Sequence, residues 1–137
     1  MEAKCRAEVM DLHRFFQEWY KGVPDPEGDS FERLASVLHP DFELIAPTGG
    51  RMDRTKVLNG VREAHGRYSG CPCRISIRNC ATRALGPDLG LATYEEWQDI
   101  AGETRGRLST AVFGRRAGLP NGVQWLHVHE VWMDEGK

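Results

Sequence analysis

No stretch of the 137 residues reaches the roughly 18 to 20 consecutive apolar positions that a bilayer-spanning helix requires, and Met1-Glu2-Ala3-Lys4 opens no secretory apolar segment. The expectation is a cytosolic protein with no membrane partner. Charge of one sign is also missing. Eighteen Lys and Arg stand against 20 Asp and Glu, so there is no broad field to draw in nucleic acid. Cysteine is sparse, and Cys5, Cys71, Cys73 and Cys80 include no paired Cys-x-x-Cys. Cys71-Pro72-Cys73 is too tight to close on itself, so reduced thiols are expected. Cys71, Cys73, His127 and His129 could be imagined around a metal, but their spacing supports none, and no metal or cofactor is expected. Also absent are a Ser/His/Asp arrangement in usable context, a phosphate-cradling glycine loop, an internal repeat and an interdomain linker. A chain of this length has room for one domain, placed over residues 1–137.

What is present divides into two halves. From Glu2 to Gly22, the residues Val9, Leu12, Phe16, Trp19, Tyr20 and Val23 recur at spacings of three and four and mark one face of an amphipathic helix. Pro24 and Pro26 stop it. Asp29 or Ser30 caps a shorter helix carrying Phe31, Leu34, Val37 and Leu38, ended by His39-Pro40 because the residue before proline disfavours the helical region. A brief strand at Phe42 to Ile45 and a turn at Pro47 to Gly50 follow. Asp53 caps a third helix with Val57, Leu58, Val61 and Ala64 inward, closing near Gly66. After Gly70 the period changes to that of strands: Cys73 to Leu85, Leu89 to Ile100, Arg107 to Arg116 and Val123 to Met133, separated by turn residues. Helices followed by an antiparallel meander imply an α+β fold. Large residues on both faces of the last strand suggest one face toward the helices and the other toward a second subunit, hence a homodimer.

The element order, with the closing run Val123-Gln124-Trp125-Leu126-His127-Val128-His129-Glu130, resembles the nuclear-transport-factor-two-like superfamily, including SnoaL-like proteins. Residues Ile75 to Asn79, Ala92 to Gln98 and Trp125 to Glu130 are also similar to the association domain of calcium/calmodulin-dependent protein kinase II. The resemblance implies a cone-shaped half-barrel, about three N-terminal helices packed on a curved antiparallel sheet, with a pocket between the long helix and the concave face. It also implies inward positions for Leu126, Val128, Glu130 and Trp132, for Thr93, Glu95 and Trp97, and for Ser109, Ala111 and Phe113. Glu95 and Ala111 stand where that relative has pocket arginines, so its ligand class does not carry over.

Two carboxylates facing one apolar cavity, Glu95 and Glu130, are the candidate acid/base pair, because desolvation and mutual repulsion keep one protonated. Trp19, Tyr20, His65, Trp97, Ser109 and Trp132 are the candidate ligand-binding residues. Two alternatives stay open: each glutamate pairs with an arginine such as Arg78 or Arg107, or the register is off by one and the glutamates face outward. His127 and His129 are placed on the outer face. The expected function is binding of a small apolar ligand, or an isomerase-, dehydratase- or hydrolase-like reaction on it. The alternative is a non-catalytic dimeric scaffold or protein-interaction module.

Overall fold

The apolar stripe of the first segment forms the long helix α1, Glu2–Lys21, in the computed structural model, which describes residues 1–133. Gly22 ends it in the left-handed conformation (φ 80°), with Gly22 and Val23 N–H groups closing on the Trp19 and Glu18 carbonyls. The glycine also allows a close crossing. The Gly66 N–H donates to Trp19 O and the Tyr68 N–H to Tyr20 O, so segment 64–70 is tied across the end of α1. A side chain at Gly22 would meet Gly66 Cα at 3.2 Å.

α2 is a single turn, Glu32–Ala35, followed at once by β1, Leu38–Ile45. The sequence pattern carries the second helix to Leu38. It stops earlier because the backbone at 37–38 is claimed by the sheet: Trp125 N–H donates to Val37 O at 2.8 Å, and Leu38 aligns with Trp125. β2, Arg51–Asp53, is a short hairpin partner of β1 that the sequence pattern does not reveal. α3, Arg54–Glu63, is capped by Asp53, whose carboxylate accepts from Lys56 N–H at 2.9 Å. The four runs after Gly70 are β3 (Cys73–Ala84), β4 (Leu89–Ile100), β5 (Glu103–Arg115) and β6 (Val123–Trp132).

These strands form one curved six-stranded sheet in the order β2-β1-β6-β5-β4-β3. Every neighbouring pair is antiparallel except β1 with β6, which run parallel, so the sheet is mixed where the sequence suggests an antiparallel meander. The meander itself, β3 to β6, is as expected. The parallel pair arises because β6 comes to lie beside β1 after the chain has run through β2, α3 and the three strands β3 to β5. The two outermost strands, β2 and β3, are not joined, so the sheet does not close among the described residues.

Irregularities set the curvature and decide which side chains face inward. Asn79, at φ 53°, sits where the β3–β4 register slips. In β6 the register slips between Phe113↔Trp125 and Val112↔His127, which leaves Leu126 as an extra residue. Strict alternation would put Trp125 outside with His127. The bulge instead lets Val123 and Trp125 face inward before it, and Val128 and Glu130 after it, while Leu126 lies over Gly114 on the outer face.

The core lies between α1 and the inner sheet face. Val9, Leu12 and Trp19 meet Ala92, Tyr94, Ala111, Phe113, Trp125 and Val128, joined by Phe31, Leu34, Val37, Leu38 and Phe42. α1 sits so close to β4 that a Cβ at Gly90 would come within 2.6 Å of Cys5 Sγ, which is why the inner row of β4 starts with the small residues Gly90 and Ala92. At the far end of this core, Glu8 is fully buried and takes a bidentate pair from Arg33 (3.1 and 2.7 Å), plus the Asn121 amide (3.0 Å) and the Trp125 indole N–H (2.8 Å). This carboxylate ties α1, α2, the β5–β6 turn and β6 together. All four cysteines are free.

A cavity with a buried ion-pair chain

Between α1, α3 and the inner sheet face lies a cavity of about 270 Å³. Its walls are mainly apolar. α1 gives Leu12 and Phe16, β1 gives Leu38, Phe42 and Leu44, α3 gives Val57 and Val61, and β6 gives Trp125 and Val128. α3 has no fully buried residue. Its Val57 and Val61 face the cavity in place of a tightly packed neighbour.

One end of the cavity is polar and built by strand register. Glu96 on β4 aligns with Arg107 on β5, and Tyr94 with Ser109 and then Glu130 on β6, so all five share the inner face. His13 enters from α1. Its Nε2 and Glu96 Oε1 are 3.1 Å apart, and its Nδ1 lies 2.7 Å from Val9 O. Glu96 Oε2 accepts from Arg107 at 2.7 Å and from the Gln98 amide at 2.7 Å. A second Arg107 nitrogen reaches Glu130 Oε1 at a longer 3.4 Å. The result is a chain His13, Glu96, Arg107, Glu130 in which one guanidinium serves two carboxylates.

Their protonation follows from this geometry. Burial alone would raise Glu96, but His13, Arg107 and the Gln98 hydrogen bond hold it well below the usual carboxylate range. Burial alone would lower His13, yet the charge and hydrogen bond of Glu96 raise it, so a protonated imidazole is favoured. Glu130 is different. Burial pushes its carboxyl up, the neighbouring Glu96 charge adds to this, and the single long contact to Arg107 does not offset them. Of the two carboxyls on Arg107 it is the one that more readily takes a proton. Burial also raises the phenols of Tyr20 and Tyr94, which both line the cavity and remain neutral donors.

Of the residues singled out from sequence, Glu130 and Tyr20 line this cavity. Ser109 faces inward and is fully buried beside Tyr94 and Glu130, as the sequence reading places it. Glu95 does not face inward. It lies on the outer sheet face, accepting from the Trp97 indole (2.9 Å) and from Asn79 (2.8 Å), and the buried carboxylate of that strand is its neighbour Glu96. Trp97 shares the outer face, its ring covering Gly106, and Arg78 stacks on it with the guanidinium carbon 4.9 Å from the ring centre. Thr93 alternates outward with them. Trp19 is core rather than wall, donating its indole N–H to Val61 O, and His65 packs edge-on against it while bonding Pro24 O. Trp132 is 43% exposed at the sheet rim, under the Arg105 guanidinium at 3.8 Å. His127 and His129 are on the outer face as expected, with His127 Nδ1 3.6 Å from Glu43. Among the described residues no group of three or more His, Cys, Asp or Glu is placed to hold a metal.

His13, Glu96 and Arg107 were not anticipated in the site. His13 does carry a signal, since 9, 12, 13 and 16 form one helical stripe. Arg107 has the parity of Ser109, Ala111 and Phe113 along β5, and the alternative in which a glutamate pairs with Arg107 is what the structure holds for Glu130.

Residues 5–134 match the family model described as sucrose-6-phosphate phosphohydrolase C-terminal. The chain belongs to that family. Within it, a curated relative named probable sucrose-phosphatase 3a from Arabidopsis thaliana is 22% identical over 128 residues, which is 93% of this chain and 30% of that protein. The chain therefore spans under a third of the length of that relative. Among solved structures, an NTF-2 like protein of unknown function from Pseudomonas aeruginosa is 27% identical, with TM-score 0.84 over 96% of this chain and 99% of the other. A CaMKII hub from S. rosetta superposes with TM-score 0.72 at 12% identity over 96% of each chain. The resemblance read from the sequence is thus right at the level of fold: this member of the phosphohydrolase C-terminal family has the nuclear-transport-factor-two-like architecture, with kinase association domains among its structural neighbours. No helix among the described residues is long and apolar enough to cross a membrane.

Proposed function

We propose that this domain binds a small, mainly apolar ligand in the cavity and presents Glu130 to it as a protonatable carboxyl. The observation that carries this reading is the convergence of Glu96 and Glu130 on one guanidinium at the end of an apolar cavity of about 270 Å³. Evolution of a merely stable core would gain by filling such a space with aliphatic side chains, since a buried ion pair seldom outweighs well-packed apolar residues. A carboxyl poised to exchange a proton in a dry setting is the apparatus of general acid/base chemistry, and an isomerase-, dehydratase- or hydrolase-like step would run through Glu130. Titration with small apolar compounds followed by amide NMR tests it. Shifts should cluster on Leu44, Val57, Val128 and Glu130, and Val57→Trp, which fills the space from the helix side, should reduce binding at least tenfold with the fold retained. Unchanged binding in that variant would place the ligand elsewhere.

A second reading concerns assembly. Among the described residues no helix covers the outer sheet face, and Leu108 and Val131, aligned across β5 and β6, are 42% and 46% exposed there. This supports a homodimer through the sheet face, and the hub-named neighbour is in keeping with self-association. Leu108→Asp should convert a dimer in sedimentation equilibrium into a monomer of unchanged stability. A wild-type monomer would end this reading and leave the cavity reading intact.

A further inference from the structure

We infer that the cavity's ligand is an amphipathic monocarboxylate, whose carboxylate takes the place of Glu130 on Arg107 while its apolar body lies between α3 and β1. This rests on the cavity-binding reading above and adds the chemical class of the ligand.

The two carboxylates on Arg107 are not held alike. Glu96 has three partners, His13, Gln98 and Arg107, at 3.1, 2.7 and 2.7 Å, and cannot leave without stranding them. Among the described residues Glu130 has one, at 3.4 Å, beyond the range of a good charge-assisted bond. The guanidinium nitrogen facing the cavity is therefore weakly engaged, and a better-placed carboxylate can claim it.

Charge in the lining points the same way. The cationic side chains are Arg107, Lys56 from α3 and Arg67 from the segment after it, with His13 behind Glu96. Among the described residues the anionic ones are Glu96 and Glu130. Arg67, Arg107 and the Tyr20 phenol all line the cavity. Tyr94 adds a second phenol near Glu130. An acceptor-rich head group meets donors from α1, β4, β5 and the post-α3 segment, while the rest of the wall is apolar.

Within the four linked groups, proton balance favours a monoanion. With Glu130 ionised, protonated His13, Glu96, Arg107 and Glu130 sum to zero. When a carboxylate enters and Glu130 takes one proton from solvent, the sum including ligand is again zero, and the new carboxyl O–H becomes a donor to the ligand. A phosphate monoester dianion would in addition have to draw in Lys56 or Arg67 from the α3 side, and a neutral alcohol would forgo the ion pair with Arg107. Binding of the carboxylate is thus coupled to protonation of Glu130, which Glu96 and the Tyr94 ring face from β4, Arg107 from β5 and His13 from α1.

Calorimetry with cyclohexanecarboxylate, cyclohexylmethanol and phenyl phosphate, at pH 6 and pH 8 in buffers of different ionisation enthalpy, tests this. The carboxylate should bind at least tenfold more tightly than the alcohol at pH 6 and weaken by up to about tenfold per pH unit once Glu130 is ionised in the free protein. About one proton should be taken up per ligand at pH 8. Glu130→Gln, with folding checked by circular dichroism, should bind the carboxylate more tightly than wild type at pH 8 and lose the pH dependence. If the alcohol or phenyl phosphate binds as well as the carboxylate, the head-group inference fails while the cavity reading survives. If Glu130→Gln gains nothing at pH 8, the ligand enters as the neutral acid beside an ionised Glu130, and the inference is overturned. If no probe binds, both readings fall.

Discussion

Trp125→Ala is expected to lower the free energy of unfolding by about 3 to 5 kcal/mol, read from the midpoint of a urea transition at unchanged slope. The indole is 2% exposed, its ring centre lies 4.4 Å from that of Phe113, and its N–H is one of the donors that make the buried Glu8 carboxylate tolerable. Truncation removes the ring from the core and leaves Glu8 one donor short. Trp125→Phe separates the two effects, since it keeps most of the packing and loses only the N–H, so it should cost about 1 to 3 kcal/mol. The loss is independent of protein concentration if it arises inside one subunit. A cost for Trp125→Ala within about 0.5 kcal/mol, the range of surface changes, would mean that the residue is not where the β6 bulge puts it.

That bulge also explains where sequence reasoning stops. Periodicity located β4, with both its ends, and Asp53 as the cap of α3, because those signals are local: a run of alternating residues between turns, and a carboxylate three residues before a free N–H. Face assignment is a different problem. In Leu89 to Ile100 both parities carry large residues, Tyr94 and Glu96 on one and Glu95 and Trp97 on the other, so hydrophobicity does not choose between them. The choice was made by what each face meets. α1 presses against Gly90, and only small residues fit the upper inner row, which commits Tyr94 and Glu96 to the inside. In β6 a single extra residue, Leu126, reverses the alternation midway, so Trp125 and Glu130 face the same way although five residues separate them. No local pattern announces such a slip. The parallel pairing of β1 with β6 is equally non-local, and it is what shortened α2. Of the acid pair and aromatic walls named from the sequence, Glu130 lines the cavity, while Glu95, Trp19, Trp97 and Trp132 do not. The guanidinium that joins Glu130 to Glu96 entered the sequence reading only as an alternative partner for a glutamate.

Arg107→Met should destabilise the fold by about 3 to 5 kcal/mol near neutral pH, because methionine fills the volume but leaves Glu96 with one fewer partner and Glu130 buried with no counter-charge. The pH dependence distinguishes this from a packing defect. In the wild type, the depressed Glu96 carboxyl contributes stability that is present above the ordinary carboxylate range and lost as acid protonates it. The raised Glu130 and His13 contribute the opposite way: their stabilisation is present below their unfolded values and is lost as pH rises through the folded ones, which lie above the ordinary carboxylate and imidazole values. Without Arg107, which acts to lower Glu130, that carboxyl is raised further, so more stability is lost on going from pH 5 to pH 8. The gap between variant and wild type should therefore widen with rising pH and narrow on acidification, as Glu130 becomes neutral and needs no partner. Adding Glu130→Gln to Arg107→Met removes the unpaired charge while keeping its shape, and should recover about 1 kcal/mol or more at pH 8 but little at pH 5. A double variant no more stable than Arg107→Met at pH 8 would show that the guanidinium does not hold Glu130, and the cavity would then lack the charge arrangement on which its proposed chemistry depends.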